Sequence, residues 1–96
     1  MAGYVVLIRE GAVTDPEEMA KYQASNQGSP PRADMKIHTV YGAMDCVEGE
    51  DADGIVILEF PDTAAAKDWY FSDAYQAAAK HRMAAAPYRG FIIEGF

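Results

Sequence analysis

Leu58, Glu59, Phe60, Pro61 and Asp62, running straight into the alanine-rich stretch 63–83, constrain the fold more than any other part of this chain. The apolar run that closes at Phe60 reads as a strand. Pro61 ends it, because proline has no amide hydrogen to give to a ladder. Asp62 suits the cap of the helix that follows. Ser72 and Asp73 then mark a break, and a second helical piece runs on toward His81 and Arg82. A strand leading into two tandem helical pieces leaves little freedom, and the chain reads as α+β.

The flanking sequence completes the order. Tyr4, Val5, Val6, Leu7 and Ile8 are apolar on both alternating faces and rich in β-branched residues, which predicts a strand covered on both sides. Asp15, Pro16, Glu17 and Glu18 carry a helix start: a cap, proline at the first helical position, and acidic residues that complement the helix dipole. Met19 and Tyr22 give that helix its apolar edge. Residues 25–32 hold Gly28, Pro30 and Pro31 and read as a loop. Residues 35–47 read as a second strand carrying His38 and Tyr41, with a bulge near Gly42. Residues 48–54 form an acidic turn that lacks the spacing and closing glutamate of a calcium loop. Residues 55–60 are a third strand, again apolar on both faces, and Phe91, Ile92 and Ile93 a fourth.

The order βαββαβ, with right-handed crossovers, puts both helical segments on one face of an antiparallel sheet, a ferredoxin-like arrangement in one domain over residues 1–96. The other face stays bare. Since soluble monomers rarely expose apolar patches beyond a few hundred Å², two chains packed sheet to sheet are expected, a homodimer forming a dimeric α+β barrel. Size agrees, because 96 residues bury only about 60 to 65% of their unfolded surface.

Composition narrows the partners. A net charge of −7 opposes nucleic acid and anionic membrane, both of which require a basic face. No apolar stretch approaches the ~20 residues of a membrane span. A lone Cys46 and a start without a basic secretory region point to the cytoplasm.

Leu58 to Pro61, Ala65 and Ala66, Trp69 and Tyr70, Ser72, Tyr75 and Gln76, and Arg82, with Val47, Glu48 and Gly49 before them and Glu94 and Gly95 at the end, resemble the domain-of-unknown-function 1330 family. The resemblance spans nearly the whole chain and implies a dimeric α+β barrel with no established general activity. Two departures stand out. Val40, Tyr41 and Gly42 occupy a place where family members commonly carry Arg-Gly-Gly, and the loop before Lys36 is long and proline-rich. The wider fold group implied by the resemblance includes haem-degrading monooxygenases, cofactor-free quinol-forming oxygenases and lactone isomerases. The haem-degrading type resembles a constellation of asparagine, tryptophan and histidine. Trp69 and His81 are present, but Leu7 and Ile8 stand where the asparagine is wanted.

Candidate chemistry is sparse. Glu59 interrupts an apolar strand, so it either pairs, with Arg82 or Arg9, or serves as a pocket acid with a raised pKa. Tyr75, Ala78 and Arg82 share one helix face, where the alanines either open a cavity or permit close packing. His81 points elsewhere and reads as solvent-facing or as a general base. His38 and Tyr41 share the second strand, and Trp69 with Tyr70 reads as core or as pocket wall. No metal-ligand spacing appears, so neither metal nor cofactor is expected. Two readings remain. In one, a small aromatic or acidic metabolite binds between sheet and helices, with Glu59 and His81 handling protons and Arg82, Tyr75, Trp69, Tyr41 and His38 binding it, in cofactor-free proton-transfer or oxygenase chemistry. In the other, the chain is a non-enzymatic binding or interaction module.

Overall fold

Side-chain alternation along the two central strands sets the layers. In the computed structural model, which describes residues 1–27 and 32–96, β1 (Gly3–Arg9) and β3 (Gly54–Phe60) pair antiparallel with Val5 opposite Leu58 and Leu7 opposite Val56. Those four side chains and Phe60 are buried on one face. Burying each of the larger ones contributes about 1.5–3 kcal/mol. Tyr4, Val6, Ile8, Ile55, Ile57 and Glu59 occupy the opposite face by the two-residue period. β2 (Lys36–Val40) flanks β3 and β4 (Tyr88–Glu94) flanks β1, giving the order β2-β3-β1-β4 with every pair antiparallel. The architecture is ferredoxin-like α+β, as the segment order predicts.

The helices start where the sequence places caps. Asp15 Oδ1 accepts the Glu18 amide at 3.2 Å at the start of α1 (Pro16–Gln27). Asp62 Oδ1 accepts from the Ala65 amide at 2.7 Å and opens α2 (Thr63–Tyr70). Ser72 performs two tasks at the break: its hydroxyl donates to the Trp69 carbonyl at 2.7 Å and accepts the Tyr75 amide at 3.2 Å, ending α2 and starting α3 (Asp73–Ala85). Satisfying orphan groups at both ends of a break is what lets two short helices follow one another without a loop. Gly3 marks a close approach, since a Cβ there would lie 2.6 Å from the Asp62 backbone.

Two expectations require correction. The strand expected over residues 35–47 is five residues long, because Tyr41 adopts φ 53°, a left-handed conformation that takes the chain out of the ladder. Its bulge lies at His38, between Ile37 and Thr39, and not near Gly42. The extra residue changes the parity of the strand, so that Ile37 pairs with Leu58 and Val40 with Val56, both on the helix face. The loop expected from residue 25 begins later, since α1 continues to Gln27. Its Gly28, Ser29, Pro30 and Pro31 lie outside the described residues.

The helices divide the interior into two clusters. α2 packs on β1, β3 and β4, whereas α1 packs on α3 in preference to any strand. One cluster gathers Val5, Leu7, Val56, Leu58, Phe60 and Ala66. The other gathers Met19, Tyr22, Tyr75, Ala78, Ala79 and Ala85. Trp69 and Tyr88 touch both. The opposite sheet face carries Val6 level with Ile57 and Phe91, and Phe91 and Ile93 are 40% and 49% exposed.

Candidate functional site

Because α1 leans on α3 and not on the sheet, a space remains between the two clusters. α1 is held there at its N-terminal end: the Thr14 amide and hydroxyl both donate to the Ala85 carbonyl, at 2.8 and 3.2 Å, and His81 Nδ1 meets Glu18 Oε2 at 2.5 Å. The resulting cavity measures about 680 Å³. Leu7, Val56 and Leu58 line it from the sheet, and Met19, Tyr22 and Ala78 from the helices. It is open along the edge strand, where Ile37 and Val40 line it while staying more than half exposed. Arg32 and Asp68 also line it and bond each other at 3.0 Å. Arg32 is further engaged by Asp34 at 2.7 Å, and this guanidinium holds the Asp34 carboxyl below the usual carboxylate range.

Aromatic and hydroxyl groups concentrate around one buried cation. Trp69 stacks on Tyr75 with ring centroids 4.0 Å apart, and both line the cavity. The Tyr75 and Tyr22 hydroxyls are 3.0 Å apart. Behind them Arg82, only 2% exposed, lies over the Tyr88 ring at 4.7 Å and near the Tyr22 ring at 6.0 Å. Tyr88 in turn hydrogen-bonds the Tyr41 hydroxyl at 2.5 Å. Among the described residues no carboxylate forms an ion pair with Arg82, and its Nε has no partner. Burial pushes the Tyr75 and Tyr41 phenols well above their ordinary pKa, so both remain neutral and able to donate.

Tyr41 reaches this cluster through strain. A bulky residue in the left-handed region costs about 1–3 kcal/mol and persists only where its surroundings fix it. Here its ring covers Gly54, where a Cβ would meet it at 2.4 Å, and Arg9 lies over it at 5.1 Å. The strained backbone turns a residue expected in a strand into a lining residue of the cavity.

The residues singled out from sequence therefore separate into four groups. Tyr75, Trp69 and Tyr41 line the cavity. Arg82 stands behind the tyrosines, and it is not paired with Glu59. Glu59 and His38 sit on the opposite sheet face, bonded to each other at 2.8 Å. His81 is tied to Glu18 on α1 and does not line the cavity. With no histidine in the lining, the residues present do not fit a haem held by His81. Tyr22, Tyr88, Arg32 and Asp68 escaped the sequence reading as site residues. Tyr22 carried the one available signal, an aromatic on a helix with few other apolar residues. Among the described residues there is no group of three or more histidine, cysteine, aspartate or glutamate side chains placed to hold a metal ion, and no helix is long and apolar enough to cross a membrane.

Comparison with known proteins places this geometry. The chain belongs to the domain-of-unknown-function 1330 family, whose model matches residues 2–96. Among solved structures it is similar to a protein of unknown function from Rhodopseudomonas palustris, with 21% identity, a TM-score of 0.67, and coverage of 99% of this chain and 82% of that one. It is similar to an ethyl tert-butyl ether D family protein from Bacillus halodurans, at 16% identity and a TM-score of 0.64, each chain covered fully. A dimeric protein of unknown function with a ferredoxin-like fold from Bacteroides fragilis is also similar, at 16% identity and a TM-score of 0.57, covering 98% of this chain and 95% of that one. At these identities the likeness shows the fold. None of the curated proteins matches the chain.

The Glu18–His81 clasp generates a pH prediction. The hydrogen bond from His81, reinforced by Lys21, holds the Glu18 carboxyl below its ordinary pKa. A carboxyl depressed in the folded state stabilises above its unfolded pKa and loses that contribution as pH falls through the folded one. Glu18→Gln should therefore melt below the wild type at pH 7, and the gap should close as pH is lowered past the carboxylate range. Melting curves across pH 3 to 7 check this, and a gap independent of pH would contradict it.

Proposed function

We propose that this protein is a homodimer that binds a small aromatic or acidic metabolite in the cavity between the sheet and the helix pair, without a bound cofactor. The carrying observation is the cavity itself. Its volume of about 680 Å³ falls inside the range of about 300–1,000 Å³ typical of small-molecule sites, with largely apolar walls and a few converging polar groups. Trp69 and Tyr75 offer a stacking surface, and the Tyr22, Tyr75 and Tyr41 hydroxyls offer orientation. Arg82 contributes a positive field behind them.

The cavity favours a ligand-binding protein over a module whose polar groups serve packing alone, since a packed interior would bring α1 onto the sheet. Proton-transfer or oxygenase chemistry has less support, because neither Glu59 nor His81, the two groups assigned to protons from sequence, lines the cavity. Binding is the part of the reading that the geometry supports.

The bare sheet face supports the dimer. Val6, Ile8, Ile55, Ile57, Phe91 and Ile93 form a continuous apolar surface, with the His38–Glu59 and Arg89–Glu10 pairs among the polar groups of that face and the sheet edge. A second copy would cover it symmetrically. The Bacteroides fragilis relative, itself described as dimeric, has the same fold.

Two measurements test the reading. Trp69 is the only tryptophan in the chain, so small phenols and aromatic acids should quench its fluorescence saturably, and a ligand at 100 times its Kd should stabilise the fold by about 2.7 kcal/mol. Absence of both responses across such a series would sink the binding reading. For the assembly, light scattering at micromolar concentration should return twice the 10.5 kDa chain mass. Ile57→Lys should weaken association by roughly 100-fold or more, because about 3 kcal/mol of uncompensated charge burial would enter the interface. A wild-type monomer under those conditions would remove the dimer.

A further inference from the structure

We infer that the polar end of the cavity is built for a single acidic oxygen: it takes a small planar compound with one phenolic or enolic hydroxyl, bound as the oxyanion by the spare donors of the Tyr22–Tyr75 pair and of the Tyr41–Tyr88 pair, in front of Arg82. This rests on the ligand-binding reading above and narrows its ligand class.

The first support is an unbalanced charge. Arginine is not deprotonated in proteins, and a buried cation is normally compensated by a carboxylate. Arg82 is 2% exposed, has no carboxylate partner among the described residues, and keeps one buried nitrogen without an acceptor. The Tyr22 and Tyr88 rings supply the weaker attraction of their faces, and the Tyr75 hydroxyl oxygen, which is neutral, accepts from the guanidinium. The field of this cation therefore favours negative charge on the cavity side of the tyrosines.

The second support is a proton count. Each tyrosine hydroxyl has one proton to donate. The Tyr22 and Tyr75 pair uses one of its two protons in the internal bond and has one left. The Tyr41 and Tyr88 pair is in the same position. Tyr22, Tyr75 and Tyr41 all line the cavity, and Tyr41 is near enough to Tyr22 for a charge on either to oppose one on the other. Two spare donors near a common point match the lone pairs of one oxyanion. A carboxylate presents twice as many acceptor sites and would be left under-bonded. Arg32, the other cation in the lining, is already engaged by Asp34 and Asp68.

The third support is the shape of the remainder. Beyond the tyrosine hydroxyls the lining is largely Trp69 and aliphatic side chains, suited to a flat apolar ring, and its other polar members are Gln23, Ser25, Ser72 and the mutually paired Arg32 and Asp68. Burial keeps Tyr75 and Tyr41 neutral, so the bound ligand loses its proton and they do not. The arrangement is an oxyanion site made of phenols with a cation behind them.

4-Nitrophenol tests this, because its phenolate absorbs in the visible and its neutral form does not. At a pH where the free probe is mostly neutral, the bound probe should absorb as phenolate, and the double variant Tyr22→Phe/Tyr75→Phe, which removes the pair's spare donor whichever residue holds it, should weaken phenolate binding about tenfold or more, as expected for a hydrogen bond to a charged group. Arg82→Met should return the bound probe to its neutral form. If that variant does not fold, the double tyrosine variant carries the test. A probe bound as neutral phenol, phenolate affinity unchanged in the double tyrosine variant, or tighter binding of 4-nitrobenzoate would each overturn the inference. 4-Nitroanisole separates it from the reading beneath it. If the anisole binds and the phenolate gains nothing over it, the oxyanion assignment alone fails; if neither compound binds, both fail.

Discussion

Arg82 is where the parts of this fold meet. From α3 its guanidinium lies against Tyr22 on α1 and over Tyr88 on β4, and through the hydroxyl of Tyr88 it is linked to Tyr41 at the end of β2. A cation buried to this degree keeps its charge, so the surroundings must accommodate it. They do so with aromatic faces and no carboxylate. Large rings grouped around that side chain fill one end of the interior, while Ala74 and Ala78 of α3 line the open space beside them. The separation of helix pair from sheet, the cavity and the character of its polar end all follow from that one placement.

The cavity therefore joins two cores. Each cluster is closed on its own terms, one by α2 on the sheet and the other by α1 on α3, and among the described residues only Trp69 and Tyr88 touch both. Domains of this size have thin cores. Dividing one further has a cost in stability, and a ligand that bridges the two clusters would recover apolar contact that the chain alone does not make. The opposite sheet face presents a second unmet demand, apolar strands without a cover. On the proposed reading, a small molecule on one side and a second chain on the other would account for why both faces of β1 and β3 are apolar.

Much of the fold was legible in the sequence because local signals agreed: the caps at Asp15, Asp62 and Ser72, the proline after Phe60, and the two-sided apolar runs all point to the same topology. The end of β2 was not legible, since nothing in the neighbourhood of Tyr41 announces a left-handed backbone at a tyrosine. The site was half legible. Tyr75 is legible from helical spacing, which fixes neighbours along one face, and Trp69 from the aromatic pair it forms with Tyr70 before the helix break. Glu59 was misplaced as a cavity acid, although its own strand held the answer: Leu58 and Phe60 turn toward the helices, so the residue between them turns away. Which face of a strand apolar on both sides receives the helices is set by tertiary packing. His81 was beyond reach for a related reason, because its partner Glu18 lies on another helix. Arg82 was expected to find a carboxylate, and the sequence could not reveal that tyrosines would take that place.

Anomalous diffraction from crystals soaked with 4-iodophenol examines the picture most directly, because the iodine marks the ring and the refined oxygen marks the polar end. The arrangement described here requires one iodine site per chain inside the cavity, against Trp69, with the phenolic oxygen within hydrogen-bonding distance of a hydroxyl of the Tyr22–Tyr75 pair. Iodine bound only on the sheet face, or an interior closed by α1 packed onto β3, would contradict it.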